Sequence, residues 1–191
     1  MILSFDLDGV FLLFNKPLRD ILQQKYNTNI KGNIDINFLN AYPLPDHFQK
    51  HVKINNHIWD NQFCLNKPMI KLLRLLKRKN HTIVINTNRK YIGGKVKALV
   101  VTLHKKGLID KVIVASRKWE GDFFKKERCI HHNIDFHMDD NILIAHQISM
   151  LPKTISLHFN EESDRYNYYS PHIITVNNKN LFQIFKDLKL I

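Results

Sequence analysis

The chain has 191 residues and a formal net charge of +12, from 29 Lys and Arg against 17 Asp and Glu. Hydrophobic residues make up 44% of it, which excludes general disorder and indicates one domain with a sizeable core. Two cysteines, Cys64 and Cys129, are too few for a disulfide scaffold. Because no apolar run is long enough to cross a membrane and the N-terminus lacks a signal-peptide pattern, we expect a cytoplasmic protein with no membrane partner.

Short β-branched and aromatic runs alternate with helical patterns along most of the chain. The predicted strands are Ile2–Asp6, Thr82–Asn86, Lys111–Ala115, Ile134–Met138, Thr154–His158 and Ile173–Val176. Predicted helices span Pro68–Lys79 and Val96–Lys106, a third begins at Asp122, and the last covers Leu181–Leu188. This alternation predicts an α/β fold: a three-layer, Rossmann-like domain with a mostly parallel sheet.

Residues 15–66 interrupt the alternation. They contain a helical stretch at Leu18–Lys25, followed by loop-like segments rich in asparagine and proline. A connection between a strand and the next helix needs far fewer residues. We therefore predict that residues 15–66 form a small helical cap inserted after the first strand, and that residues 1–14 and 67–191 form the core.

The first predicted strand ends in a pair of carboxylates, in the segment SFDLDGVF. Asp6 and Asp8 are two residues apart, so in an extended chain they project to the same side. In a parallel sheet that point is the carboxyl edge, where ligands bind. Gly9 follows and allows the backbone to turn sharply or to approach a ligand closely. Taken alone, the motif equally fits a strand end with an Asp-Gly turn.

Two further strands end in polar residues at the same predicted edge. Thr87 and Asn88 follow TIVIN and offer a hydroxyl and an amide suited to phosphate oxygens, although a polar strand-to-loop junction fits that segment as well. Asp139 and Asp140 follow IDFHM. Acids gathered at one edge would repel one another unless a cation held them, and ligand sets made only of oxygens favour magnesium.

Together these segments resemble the motifs of the haloacid dehalogenase superfamily of phosphatases. The resemblance is carried by DLDGV at residues 6–10, the apolar strand before Thr87, a lysine in a later strand-to-helix connection, and MDDN at residues 138–141. It implies that Asp6 is the nucleophile that becomes a phosphoaspartate, and that Asp8 is the general acid and base. It also implies that the Asp6 carboxylate, the Asp8 carbonyl and Asp140 hold Mg²⁺, with Asp139 behind them or acting through water.

Phosphate contacts in this resemblance come from Thr87, Asn88 and a lysine. Lys118, in the segment SRKWEG, is the favoured lysine because it lies in the connection at the sheet edge. Lys125 is the alternative, and it falls a turn into the predicted helix that begins at Asp122.

Within the superfamily, the sequence is most similar to the deoxyribonucleotidase-like group of 5'-nucleotidases. The shared features are DxDGV, a modest helical insert, NKP before the second motif, IDFHMDD, and a tail with the segments TISLHFN and HIITVNN. This similarity implies hydrolysis of nucleoside 5'-monophosphates. Several aromatic residues are candidates for stacking on a base, although core packing is the commoner role for each: Phe11, Phe14, Tyr42, Trp59 and Phe63.

Two other functions remain compatible with the sequence. The net charge of +12 favours anionic partners, so a phosphatase acting on a nucleic-acid end or on another phosphorylated metabolite is the first alternative. The second is a binding protein that keeps the fold without catalysis. No zinc-ligand spacing and no phosphate-binding glycine loop occurs, and we expect His137 and Cys129 to be core residues.

Overall fold

The computed structural model describes residues 1–14, 17, 20, 23, 60, 61, 63–115, 124–160 and 173–191. Its strands are β1 (Ile2–Phe5), β2 (Leu12–Leu13), β3 (Cys64–Leu65), β4 (Thr82–Asn86), β5 (Lys111–Ile113), β6 (Phe136–Asp139), β7 (Ile155–Phe159) and β8 (Ile174–Val176). Its helices are α1 (Lys67–Arg78), α2 (Gly94–Lys105), α3 (Phe124–His131), α4 (Ile142–Ser149) and α5 (Leu181–Asp187).

Six strands form one parallel sheet in the order β5-β4-β1-β6-β7-β8. Strand β1 lies between β4 and β6, and Phe5 is in register with Ile85 on one side and Met138 on the other. The carboxyl ends of β4, β1 and β6 therefore lie next to one another. This sheet confirms the predicted α/β architecture, and all six predicted strands belong to it.

Both faces of the sheet are buried, as expected for parallel strands covered by helices. Successive residues of β4 alternate between two apolar clusters: Ile83 and Ile85 belong to the larger one, and Val84 to the smaller. Helices α1, α2 and α5 contribute to the larger cluster, whereas α3 and α4 contribute to the smaller. The helices thus form the outer layers of a three-layer domain.

Helix α1 shows why the sequence folds in this way. Its buried side chains are Met69, Leu72, Leu73 and Leu76, which recur at the helical period and face the core. Pro68 lies in the first turn, where its missing N–H has no helical partner. The basic residues interleaved with the leucines lie mainly on the opposite, solvated face.

The short strands β2 and β3 pair with each other antiparallel, outside the main sheet. Asn66, directly after β3, donates its side-chain amide to the Val10 carbonyl at 2.9 Å, and its backbone N–H to the Phe11 carbonyl at 2.9 Å. Most of the predicted cap lies outside the described residues, so its extent stays a prediction. Among the helices of the described residues, none has the length and apolarity to span a bilayer.

Candidate active site

Three adjacent strands bring the predicted site residues to one edge of the sheet. Asp6 follows β1, Thr87 follows β4, and Asp139 is the last residue of β6. The backbone N–H of Asp6 donates to the Met138 carbonyl at 2.8 Å, and that of Thr87 donates to the Ile113 carbonyl at 3.0 Å. The parallel pairing thus extends one residue past the strands and fixes where these side chains start.

Gly9 allows the loop after β1 to pass close to the loop after β6. Its φ is +72°, and a Cβ atom there would lie 1.9 Å from Oδ2 of Asp140. Any side chain at position 9 would therefore occupy the space of the Asp140 carboxylate. This close approach keeps that carboxylate next to the loop that carries Asp6 and Asp8.

Three carboxylates meet at this edge: Asp6, Asp139 and Asp140 each offer an oxygen, and these oxygens lie within 4.8 Å of one another. Asp6 and Asp139 are buried. Carboxylates without nitrogen or sulfur donors form the type of ligand set that hard cations such as Mg²⁺ prefer.

The pKa values of two of these acids show how much negative charge is crowded there. Burial raises the pKa of Asp6 to about 7, and the charges of Asp139 and Asp8 add to this effect while Lys125 opposes it. The pKa of Asp140 is raised well above its usual range. The causes are partial loss of water around the carboxylate, which lies against Gly9, and the negative charges of Asp6 and Asp139. A divalent cation would relieve this repulsion, so the donor set fits one.

Lys125 supplies the positive charge among these acids. Its side chain is buried, and its Nζ lies 2.9 Å from Oδ1 of Asp6 and 2.6 Å from Oδ2 of Asp139. Burial alone would lower the pKa of Lys125, but the charges and hydrogen bonds of the two carboxylates raise it. The ammonium therefore stays charged and holds Asp6 beside Asp139.

Asp139 is held by partners on all sides. Besides Lys125, it accepts from Nε2 of His137 at 3.0 Å and from the backbone N–H of Asn141 at 3.0 Å. Burial alone would raise the pKa of Asp139, but Lys125 and the His137 hydrogen bond hold it below its usual range. His137 is fully buried, its pKa is lowered by that burial, and Ser4 Oγ lies 2.5 Å from its Nδ1. These contacts fit a neutral His137 that orients Asp139 from behind.

Asp8 lies at the more open part of the edge and pairs with Arg89. Nε of Arg89 donates to both carboxylate oxygens, at 3.1 and 2.8 Å, and Nη2 donates to Oδ1 at 2.8 Å. The other end of the guanidinium, Nη1, donates to Oδ1 of Asp60 at 2.5 Å. Burial alone would lower the pKa of Arg89, but its hydrogen bonds and charge interactions with these carboxylates raise it.

The predicted phosphate-binding residues occupy the loop after β4. Thr87 is fully buried, and its Oγ1 accepts from the backbone N–H of Arg89 at 3.2 Å. Asn88 is exposed. Arg128 braces this loop, because its Nη1 donates to Oδ1 of Asn86 at 3.0 Å and to the Thr87 carbonyl at 3.4 Å.

The structure brings together Asp6, Asp139 and Asp140 and places Asp8 beside Arg89. The favoured lysine, Lys118, lies outside the described residues, whereas the alternative, Lys125, lies among the acids. A helical side chain leans toward the N-terminus of its helix, which brings a lysine from within the helix back to the strand ends.

Sequence reasoning did not assign Arg89 or Asp60 to the site. It also did not predict the hydrogen bond between His137 and Asp139. A basic residue two positions after the polar strand end was the available signal for Arg89, but its partner Asp60 is 29 residues away in the chain. Among the aromatic candidates, Phe11 and Phe14 are buried in the core, and the Phe14 ring lies edge-on to Phe63 with the centroids 6.4 Å apart.

The remaining predictions about side chains concern two aromatic residues and two residues expected in the core. Tyr42 and Trp59 lie outside the described residues. Cys129 is buried in the smaller apolar cluster and His137 within the sheet, as predicted.

No protein-family model and no curated protein matches this sequence, but solved structures do resemble its fold. A Thermotoga maritima protein assigned as a beta-phosphoglucomutase matches with a TM-score of 0.61 at 12% identity, over 98% of this chain and 100% of its own. A haloacid dehalogenase-like family hydrolase from Streptococcus pneumoniae matches with a TM-score of 0.57 at 14% identity, over 96% of this chain and 97% of its own.

A third structure, of a haloacid dehalogenase family hydrolase from Deinococcus radiodurans, contains bound phosphate and sodium. It matches with a TM-score of 0.58 at 11% identity, over 100% of this chain and 96% of its own. These comparisons show that the chain has the fold of the haloacid dehalogenase superfamily.

Proposed function

We propose that this protein is a magnesium-dependent phosphomonoesterase that works through a phosphoaspartate at Asp6, with nucleoside 5'-monophosphates as its substrates. One observation carries the chemistry: oxygens of Asp6, Asp139 and Asp140 meet within 4.8 Å, with the Lys125 ammonium 2.9 Å from Asp6. This group lies at the carboxyl edge of a parallel sheet, where ligands of such folds bind.

Asp6, Asp140 and the backbone carbonyl of Asp8 would hold the cation. No hydrogen bond to the Asp140 carboxylate is found among the described residues, so its oxygens are open to a ligand, whereas Asp139 already accepts from Lys125, His137 and Asn141. A bound Mg²⁺ would neutralise the charge of the acids and of the substrate phosphate.

In the first step, a carboxylate oxygen of Asp6 attacks the phosphorus atom and the bond from phosphorus to the leaving oxygen breaks. Asp8 donates its proton to that oxygen, which departs as an alcohol. Lys125 keeps Asp6 beside Asp139 and offsets the negative charge that gathers as the carboxylate approaches the phosphate. Thr87 and Asn88 are the proposed donors to the phosphate oxygens, with Lys125 or Lys118 as the lysine.

In the second step, the Asp8 carboxylate accepts a proton from water, whose oxygen attacks the phosphorus atom. The bond between phosphorus and Asp6 breaks, phosphate leaves, and Asp8 is again protonated for the next cycle. One group can serve as acid and then base because Asp8 is partly exposed and can reach both the leaving oxygen and water.

The experiment measures phosphate release from ribo- and deoxyribonucleoside monophosphates, sugar phosphates and p-nitrophenyl phosphate, with magnesium or with a chelator. We expect metal-dependent turnover with the highest kcat/KM on nucleotides, abolished by Asp6→Asn and retained by the exposed control Asp187→Asn. Turnover of p-nitrophenyl phosphate alone would remove the nucleotide assignment. Activity that survives Asp6→Asn would refute the phosphoaspartate mechanism, and no turnover at all would favour a binding protein.

A phosphorylated nucleic-acid end is the second candidate substrate, favoured by the net charge of +12. Short phosphorylated DNA or RNA would then compete with p-nitrophenyl phosphate. The competition would weaken steeply with salt, because releasing the counterions of the nucleic acid into a more concentrated solution gains less free energy. Competition that is absent or insensitive to salt would exclude this candidate.

A further inference from the structure

The guanidinium of Arg89 forms a fork around the Asp8 carboxylate. Two of its N–H groups make three contacts with Asp8: the Nε–H is shared between Oδ1 and Oδ2, and Nη2 donates to Oδ1. A planar guanidinium matches a carboxylate in this way and fixes its orientation, which a lysine ammonium cannot do.

This fork leaves Asp8 little freedom. A carboxylate has about four lone-pair positions, and Arg89 occupies two on Oδ1 and one on Oδ2. The position that remains is on Oδ2, and the side chain is 33% exposed, so a reacting group can still approach it. Proton transfer through Asp8 is thereby confined to one oxygen in one orientation.

Arg89 is itself fixed from its other end by Asp60, which belongs to the segment predicted as the insert. The Asp60 carboxylate accepts from Nη1 of Arg89 at 2.5 Å, and both side chains are largely buried. A glycine makes room for Asp60, because a Cβ atom at position 93 would lie 2.5 Å from its Oδ2. The neighbouring Asn61 also contacts the core, since its Oδ1 accepts from the backbone N–H of Lys95 at 3.2 Å.

We propose that Arg89 is a positioning residue for the acid and base Asp8, and that Asp60, which lies against Gly93, sets Arg89 in place. The inference rests on the proposed function. It assigns Arg89 no contact with the phosphate: the guanidinium acts through Asp8. The Asp60 carboxylate thereby affects how Asp8 is aligned to transfer protons.

Two substrates with different leaving groups distinguish the proposed positioning role of Arg89 from a purely structural role. p-Nitrophenolate departs without a proton, whereas the alkoxide of an alkyl phosphate requires one, and kcat/KM reports the step in which the leaving group departs. Arg89→Ala is therefore expected to lower kcat/KM for an alkyl phosphate by about 100-fold, and that for p-nitrophenyl phosphate by less than about 3-fold. Arg89→Lys, which keeps the charge but not the fork, is expected to lie between wild type and Arg89→Ala.

Two substitutions test the role of Asp60 without touching Arg89. Asp60→Asn is expected to lower kcat/KM for the alkyl phosphate by about 10-fold, again with little effect on the aryl ester. Gly93→Ala should reproduce this result, since the added methyl group displaces the Asp60 carboxylate while the backbone φ of −120° accepts alanine. Arg74→Ala, which removes an exposed arginine of α1, is the matched control and should leave kcat/KM unchanged for both substrates.

A double substitution tests whether Arg89 acts through Asp8. In an Asp8→Asn background, Arg89→Ala should cause little further loss for the alkyl phosphate, because the group that it positions is already absent. Additive losses would mean that Arg89 acts on the substrate directly and would overturn the inference.

The outcomes for this inference and for the proposed function are distinguishable. If wild-type turnover is abolished by Asp6→Asn, but Arg89→Ala lowers kcat/KM equally for aryl and alkyl phosphates or lowers neither, this inference alone fails. This inference alone also fails if Gly93→Ala and Asp60→Asn leave the ratio of kcat/KM for the alkyl phosphate to kcat/KM for the aryl phosphate unchanged. Absence of wild-type turnover, or turnover that survives Asp6→Asn, overturns both.

Discussion

Two cationic side chains lie at the same edge of the sheet, each between two carboxylates, but only one of these groups is shut off from water. Lys125 is 2% exposed and lies between Asp6 and Asp139, which are also buried. Arg89 is 11% exposed, and its partner Asp8 is 33% exposed. The same charge arrangement is thus built once in the interior and once at the boundary with solvent.

The difference matches what each group is proposed to do. A buried ammonium between two carboxylates keeps a nucleophile at a fixed place and compensates charge where water cannot screen it. A guanidinium at the boundary fixes orientation, yet leaves its carboxylate able to exchange protons with water and substrate. Removing the buried Lys125 should therefore lower the free energy of unfolding substantially. Removing Arg89 should mainly slow the proton-transfer step.

The largest effect is expected from Lys125→Met, which leaves Asp6 and Asp139 buried without their cation. We expect loss of measurable turnover and a decrease of about 3–5 kcal/mol in the free energy of unfolding at pH 7. Urea denaturation and phosphate release measure these two quantities. Lys126→Met, at the next position of α3, is the matched control and should change neither by much; equal effects of the two substitutions would show that the buried ion pairs do not matter.

The two adjacent acids at the end of β6, Asp139 and Asp140, should respond in opposite ways. Asp139→Asn removes the negative charge that Lys125 and His137 contact and replaces one of the two acceptor oxygens by an NH₂ donor, so it should lower the free energy of unfolding by about 2 kcal/mol. Asp140→Asn removes like-charge repulsion, so we expect stability without metal to be equal or higher, but the rise in Tm on adding Mg²⁺ to disappear. Thermal unfolding with and without Mg²⁺ checks both; a Mg²⁺-dependent rise that persists in Asp140→Asn would contradict its role as a ligand.

The pH should change how strongly Mg²⁺ stabilises the protein. The pKa of Asp6 is raised from 3.8 to about 7, so the folded state binds this proton more tightly than the unfolded chain. In the absence of metal, this contribution to stability is present at low pH and is lost as the pH rises through 7. Below pH 7, the proton and Mg²⁺ compete for Asp6, and the apparent affinity for Mg²⁺ should fall about tenfold per pH unit.

Titration calorimetry with Mg²⁺ between pH 5.5 and 8 measures this effect. Asp6→Asn should flatten the dependence of stability on pH in the absence of metal. An Mg²⁺ affinity that does not change across this range would contradict the proposed ligand role of Asp6.

The smallest effect is expected at an ion pair away from the strand ends. Lys77 donates to Asp110 at 2.8 Å, but Asp110 is 40% exposed and water screens the pair. Lys77→Met should cost about 0.5 kcal/mol and leave turnover unchanged. A loss close to that of Lys125→Met, measured in the same denaturation series, would mean that burial is not what distinguishes the two lysines.

The main sheet was predictable because each of its strands is a short apolar run that ends in polar residues. The helix Ile142–Ser149 was missed, since its sequence ILIAHQIS has the β-branched residues of a strand; only the Asn141 side chain, which accepts from the N–H groups of Leu143 and Ile144, marks where it begins. Strands β2 and β3 have two residues each and carry no periodic signal.

The acids of the candidate site were predictable because each follows a strand that ends at the same edge. The cations were harder to predict, because their partners are distant in the chain or reached by long side chains. Lys125 reaches Asp139 from 14 residues away, and Arg89 reaches Asp8 from 81. Spacing along the sequence does not encode such contacts, which depend on how helices and loops are placed against the sheet.

The contact between Gly9 and Asp140 also determines which variants of this chain can survive selection for activity. Gly9 and Gly107 share a left-handed backbone, with φ of +72° and +65°. A Cβ atom at position 107 would meet no atom within 4 Å, so Asn or Asp should be accepted there, as left-handed turns often accept them. At position 9 every side chain would strike the Asp140 carboxylate. A saturation library sorted for phosphatase activity should therefore return glycine alone at position 9 and several residues at position 107.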